Sequence, residues 1–129
     1  MERSNFEKLH VYQLSEDLAD SVLNVVLEWN RFAQDTVGKQ LVRSADSIGA
    51  NIAEGTGRKS YVDNKRFVFI ARGSVNETKH WLRRAYKRNL LTTDQINTLK
   101  PILDKLAPKL NAYANSIGRK ASVESPTND

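Results

Sequence analysis

Residues 92–117 read TTDQINTLKPILDKLAPKLNAYANSI, and within them Ile96, Leu99, Leu103, Leu106, Leu110, Tyr113 and Ile117 recur at intervals of 3, 4, 3, 4, 3 and 4. That rhythm keeps seven apolar side chains on one side of an α-helix for three heptads, a stripe that must be buried against other helices. Thr92 followed three residues later by Gln95 is a capping-box start for it. Pro101 and Pro108 lie inside the stripe. Each removes a backbone donor and crowds the preceding turn, at a cost of about 3 kcal/mol in a regular interior, so a kink or break is expected. The heptad register continues across both prolines, which predicts that the pieces still lie along one groove. The pattern alone leaves open whether that groove lies within one chain or between chains.

Working outward, three more helical stripes precede this one. Val11, Leu14, Leu18, Val22, Val25, Trp29 and Phe32 are spaced 3, 4, 4, 3, 4 and 3, which predicts one helix of about six turns. The polar run Gln34 to Gly38 interrupts it, and Asp35 or Thr36 is a candidate cap for a second helix carrying Leu41, Ala45, Ile48 and Ile52. Gly55 and Gly57 are placed to end that helix by supplying a left-handed residue. Ser60 with Asp63 three residues on predicts the start of a third helix, with Phe67, Ile70, Ala71, Ser74, Thr78, Trp81, Leu82 and Ala85 along one side. No segment alternates with period two, so strands have no support. Four amphipathic helices with short connections predict an all-α, up-down-up-down antiparallel four-helix bundle over residues 1–118. The polar residues 119–129 are expected to form a disordered tail.

The chain has 129 residues, one ordinary domain, and no cysteine, which excludes disulfides, thiolate metal sites and a cysteine nucleophile. There is no run long enough to span a bilayer and no signal-peptide pattern near the start, so a soluble, cytoplasmic protein without membrane contact is expected. The formal charge is +5, but it is unevenly spread. Residues 1–35 carry 3 basic and 7 acidic side chains, residues 36–88 carry 12 and 4, and residues 89–129 carry 5 and 4. The middle block points to a polyanionic partner, RNA or DNA. Lys and Arg are also ordinary solvated helix residues, which is the plain competing explanation.

Catalytic and metal readings find little support. Glu77 and His80 have the Glu-x-x-His spacing of a bundle di-iron site, but that plan needs a second such motif, and the other histidine, His10, precedes the first helix. The run Gly55 to Ser60 lacks the spacing and preceding strand of a phosphate loop. No histidine stands in a nucleophile arrangement with a serine. A non-enzymatic protein without cofactor or metal is expected.

The binding candidates are two basic clusters. Arg58, Lys59, Lys65 and Arg66 surround the turn before the third helix, and Arg83, Arg84, Lys87 and Arg88 close its far end. Lys65 and Arg84 lie about 28 Å apart along a helix. Cations in a last turn also suit the helix dipole. Tyr61 and Tyr86 are the nearby aromatics, a weak indication of base stacking, so phosphate contact is the safer expectation. Polar residues near the packed faces suggest a different role. Gly73, Ser74 and Ala71 are expected to let helix backbones approach, with Asn51, Glu54, Glu77 and Arg43 or Arg72 forming a buried network or a subunit contact.

The run from Gln40 to Arg58 (QLVRSADSIGANIAEGTGR), followed by Arg66-Phe67 and by Ile70 to Glu77 (IARGSVNE), resembles the four-helix bundle proteins encoded in intervening sequences of bacterial 23S rRNA genes. That family is also labelled S23 ribosomal protein, a label that describes where its genes lie. The resemblance spans about residues 6–117. The matching positions are Arg43, Ser47, Asn51, Glu54, Gly55, Gly57, Arg58, Gly73, Ser74 and Glu77, whose character fits packing and assembly. The resemblance implies a small cytosolic bundle assembled as a homopentamer. It further implies likeness to the accessory protein of diversity-generating retroelements, a basic pentamer that binds nucleic acid and a reverse transcriptase. Gly49 and Ala50 stand where members often carry a proline, and the loop before the second helix is shortened to Gln34-Asp35-Thr36. The combined expectation is a homo-oligomeric, non-catalytic bundle that binds RNA or DNA through its phosphates. The competing reading is a protein-interaction or scaffolding module.

Overall fold

In the computed structural model, which describes residues 5–124 and the side chains of residues 5–120, the chain forms four long helices and, among the described residues, no strand. A single 3₁₀ turn, Asn5–Lys8, leads into α1 (His10–Leu27). A short connection then enters an uninterrupted helical run of one α-turn (Arg31–Ala33), a π-helical segment (Gln34–Gly38) and α2 (Lys39–Thr56). Helices α3 (Tyr61–Lys87) and α4 (Thr93–Glu124) complete the bundle. Each helix packs against two neighbours in the ring α1, α2, α3, α4 and none against its diagonal partner. This is the four-helix bundle expected from the stripes.

The core is the sum of those stripes. Leu18, Val22, Leu41, Ile48, Ile52, Val75, Leu106 and Leu110 are fully enclosed. The α4 seam is consumed within the chain, since Leu99, Leu103, Leu106, Leu110 and Ile117 are all buried. Pro101 and Pro108 do not break α4. Both are exposed, and the carbonyls they leave without a donor belong to Asn97 and Asp104, also exposed, where solvent takes the lost bond. Between α2 and α3 the fully buried hydroxyls of Ser44 and Thr78 meet at 3.1 Å. Each also reaches a carbonyl of its own helix, Leu41 at 3.0 Å and Ser74 at 2.8 Å, so neither polar group is stranded.

Four boundaries differ from the sequence reading. The first helix ends at Leu27, not beyond Phe32, and Phe32 is 77% exposed instead of lying in the core. The break is made by side chains that satisfy helix ends. Asn30 accepts from the Ala33 amide at 3.0 Å as the cap of the next helical run, the role expected of Asp35 or Thr36. Gln34 donates back to the carbonyls of Val26 and Leu27 at 3.1 and 3.2 Å. The Gln34–Gly38 stretch is therefore helical and not a loop, its wider π turns bringing both Val37 and Gly38 into buried positions.

Nor do Gly55 and Gly57 supply a left-handed turn, since no glycine among the described residues has positive φ. Gly55 is buried where α2 meets α3, and a Cβ there would lie 2.5 Å from Asn64 Oδ1 and 3.0 Å from the Phe67 Cβ. Finally, residues 119–124, expected in a disordered tail, continue α4 to Glu124. Gly118 tolerates helix, and no residue that forbids it occurs before Pro126. The rest of that expectation, residues 125–129, lies outside the described residues.

Candidate nucleic-acid interface

The expected caps position both basic clusters. At the start of α3 the Ser60 hydroxyl accepts from the Asp63 amide at 3.1 Å. At the start of α4 Thr92 and Gln95 form the complete reciprocal box, Gln95 N–H to Thr92 Oγ1 at 3.1 Å and Thr92 N–H to Gln95 Oε1 at 2.9 Å. Between α3 and α4 lies a feature not expected from the sequence. Asn89 adopts φ 59°, and the amides of Leu90 and Asn89 donate to the carbonyls of Ala85 and Tyr86 at 3.0 and 3.1 Å. That is a Schellman stop, with asparagine in the place glycine usually takes. Trp29 Nε1–H then donates to the Leu90 carbonyl at 2.8 Å, fastening this turn to the end of α1. Arg88-Asn89-Leu90 carried that signal in its polar, left-handed-tolerant asparagine followed by an apolar residue.

The two clusters differ in what already occupies them. In the first, Arg58 pairs with Glu54 at 3.1 Å and with Asp63 at 3.5 Å, and Arg66 pairs with Asp63 at 2.9 Å. Both guanidiniums also lie 4.6 Å from the Phe67 ring centroid. Lys65 rests 5.7 Å from the Phe69 ring. Lys59 alone of this cluster has no partner among the described residues. In the second cluster Arg83, Arg84, Lys87 and Arg88 are all exposed, and none has a side-chain hydrogen bond, ion pair or ring contact among the described residues. The difference is written in the spacing. Glu54 stands four before Arg58 and Asp63 three before Arg66, whereas no acid stands three or four residues from Arg83, Arg84, Lys87 or Arg88.

The motif residues are not a buried network within the chain. Arg43, Glu54, Glu77 and Gly73 are exposed, and a Cβ on Gly73 would meet nothing within 4 Å, so Gly73 does not serve close packing in the bundle. Ser47 donates to the Arg43 carbonyl and Asn51 to the Ser47 carbonyl, each at 2.8 Å, bonds confined to α2. Ser74 lies 3.4 Å from the Ile70 carbonyl, and Arg72 donates to Asn111 Oδ1 at 2.8 Å. Gly57 ends α2 in ordinary right-handed geometry. Along α3 the outward positions Val62, Arg66, Phe69, Gly73, Asn76 and His80 follow the 4, 3, 4, 3, 4 rhythm of a second seam, with Ile70 and Glu77 beside it. Val62 is 66% exposed, and Phe69 and Ile70 are exposed as well. Ile70 had been assigned to the core side of α3. It lies outside because the stripe of Phe67, Ala71, Val75, Thr78, Leu82 and Ala85 already fills that side.

Glu77 accepts from Trp81 Nε1–H at 3.3 Å, and the His80 ring meets Trp81 edge-on at 4.7 Å. No group of three His, Cys, Asp or Glu side chains able to hold a metal occurs among the described residues. Among the described residues, two groups are displaced from ordinary titration. Asp46 is raised above its usual 3.8 by partial burial and then by the charge of Asp20 on α1. Burial likewise raises the Tyr113 phenol, with a hydrogen-bond contribution from Asn64 acting in the opposite direction. Neither lies in the basic clusters. No helix among the described residues is long and apolar enough to cross a membrane.

Comparison with known proteins places this architecture. No curated protein matches the chain. A crystal structure at 1.70 Å of a protein of unknown function from the S23 ribosomal protein family of Bacteroides thetaiotaomicron VPI-5482 is 26% identical, with a TM-score of 0.71. The match covers 81% of this chain and 97% of that one. The family model described as 23S rRNA-intervening sequence protein matches residues 7–112. With both the sequence model and the bundle in agreement over most of its length, the chain belongs to the 23S rRNA-intervening sequence protein family.

Proposed function

We propose that this protein is a non-catalytic, cytoplasmic nucleic-acid-binding bundle that contacts phosphates through Arg83, Arg84, Lys87 and Arg88 and acts as a homo-oligomer, a pentamer by family resemblance. One observation carries the reading: four cations within six residues project from the end of α3 with no acidic or aromatic partner among the described residues. Helix-dipole stabilisation accounts for cations there, at about 0.3–1 kcal/mol each. It does not call for four, since Arg83 with Lys87 and Arg84 with Arg88 repel at helical spacing by about 0.2–0.5 kcal/mol per pair. A polyanion resolves that repulsion.

Support for self-association comes from the outward seam of α3, where Val62 and Ile70 leave apolar surface uncovered, Phe69 stays exposed although Lys65 and Arg72 lie over its ring, and Gly73 leaves room for another backbone. The same seam favours the second reading, a protein-interaction module whose charge only maintains solubility. Salt separates the two, because phosphate binding weakens steeply with salt while an apolar interface hardly responds. The test is binding of fluorescent structured RNA, single-stranded RNA and duplex DNA across a salt series, with mass by light scattering in the same buffers. A steep slope that flattens when the four α3 cations become Gln is the expected result. No binding at low salt by a protein of confirmed oligomeric mass would overturn the reading and leave the scaffold.

A further inference from the structure

Resting on that phosphate-binding reading, we infer that the nucleic acid taken by this end of the bundle is single-stranded, with bases unstacked into two cavities that flank the last turn of α3. The first cavity, about 610 Å³, lies between α3 and α4. It is lined by the apolar Leu82, Leu91, Ile96 and Leu103 together with Tyr86, Arg83 and Lys100, the last paired with Asp104 at 2.8 Å. The second, about 510 Å³, lies between the turn after α3 and the start of the α2 run, and is lined by Phe32, Ala33, Val37, Leu90 and Arg88. Each therefore combines the same three parts: an apolar floor, a solvent-facing aromatic ring and an arginine without a partner among the described residues.

The rings are 55% exposed for Tyr86 and 77% for Phe32. An aromatic ring left in water and lining the same cavity as a free guanidinium offers a face on which a planar base stacks while the cation takes the adjoining phosphate. A duplex cannot use this arrangement, because its bases are stacked on one another and present only their edges in the grooves. Arg84 and Lys87, on the same two turns as Arg83 and Arg88, supply phosphate contacts for the backbone between the two cavities. Of the acidic side chains at this end, Glu28 and Asp94 line a different hollow on the α1–α4 side, and Asp35, in the run that forms the second cavity, is paired with Arg31 at 3.0 Å. An acidic peptide would satisfy the cations and an apolar one the floors, but neither brings a planar base to each ring with a phosphate beside it.

The experiment uses the full chain with homopolymer single strands and blunt duplexes of equal length, each as RNA and as DNA, at one low salt concentration. Phe32→Ala and Tyr86→Ala remove exposed rings, and circular dichroism confirms that both variants retain their helices. Each is expected to weaken single-strand binding about 5- to 100-fold while duplex binding changes less than about twofold. Phe32→Tyr and Tyr86→Phe, which keep the rings, restore it. Equal losses on single strand and duplex, or no loss on either, would overturn base seating. If, in that second case, the fourfold Gln variant still loses both ligands, the phosphate reading stands alone. Absence of binding to every ligand removes both.

Discussion

The two ends of α3 carry the same number of cations and opposite histories of neutralisation. At the N-terminal end Arg58 and Arg66 share Asp63, Arg58 also holds Glu54, and both guanidiniums lie against Phe67. At the C-terminal end Arg83, Arg84, Lys87 and Arg88 hold nothing among the described residues. On the proposed reading, the difference means that a basic residue marks a binding surface only when its charge is not already used within the fold. Arginines of the first kind reinforce the α2–α3 turn. Those of the second kind keep their charge available, and on the proposed reading they would release the counterions condensed on a polyanion by neutralising its phosphates.

The largest expected effect tests that contrast directly. Replacing Arg83, Arg84, Lys87 and Arg88 together by Gln should lower nucleic-acid affinity by two or more orders of magnitude at low salt. It should also reduce the slope of log K against log salt by about 3. Arg58→Gln with Arg66→Gln should change the slope by less than 1, since those charges are already paired. Equal slopes for the two variants would break the comparison. Their stabilities should move the other way: thermal unfolding of the Arg58 and Arg66 variant should lose up to about 1 kcal/mol, and the fourfold variant should lose less.

Smaller effects sharpen the same contrast. Gly55→Ala drives a methyl group toward Asn64 and Phe67 behind the neutralised end. It should cost about 1–3 kcal/mol in denaturant unfolding, with salt dependence of binding unchanged. Asn89→Gly should leave the fold intact or stabilise it slightly, whereas Asn89→Val should cost about 1–2 kcal/mol and loosen the free end, read as faster amide exchange at Leu90. The smallest change lies away from both ends. Asp46, raised by burial and by Asp20, opposes folding when ionised. Asp46→Asn should therefore stabilise at pH 7 by no more than about 0.5 kcal/mol. The gain should shrink as pH falls through the raised midpoint and vanish about one unit below the ordinary carboxyl midpoint, where the wild-type group is protonated in both states. Neither basic end should respond to it.

Much of the bundle was legible in residue order because amphipathic periodicity is a local consequence of 3.6 residues per turn. The α4 seam from Leu99 to Ile117, the Thr92–Gln95 box and the Ser60 cap all appear where the spacing placed them. The unequal loading of the two basic clusters was also present, as acids at helical spacing from Arg58 and Arg66 and none from the second cluster. What tertiary structure alone decided concerns competition between distant groups. Phe32 matches the stripe of α1 yet lies outside the core, because Asn30 and Gln34 satisfy two helix ends that a continuous helix would not create. Gly73 and Ile70 read as packing residues, but the side of α3 facing the bundle was already filled by residues whose partners lie on α2 and α4. The cavity shared by Phe32 and Arg88 joins the α2 run to the turn after α3, and the one shared by Tyr86 and Arg83 of α3 is closed by Leu91, Ile96 and Leu103 from the turn and α4. Periodicity says which face of a helix is buried, while only the packed chain says what stands opposite that face, because burial is shared among all the helices that compete for one core.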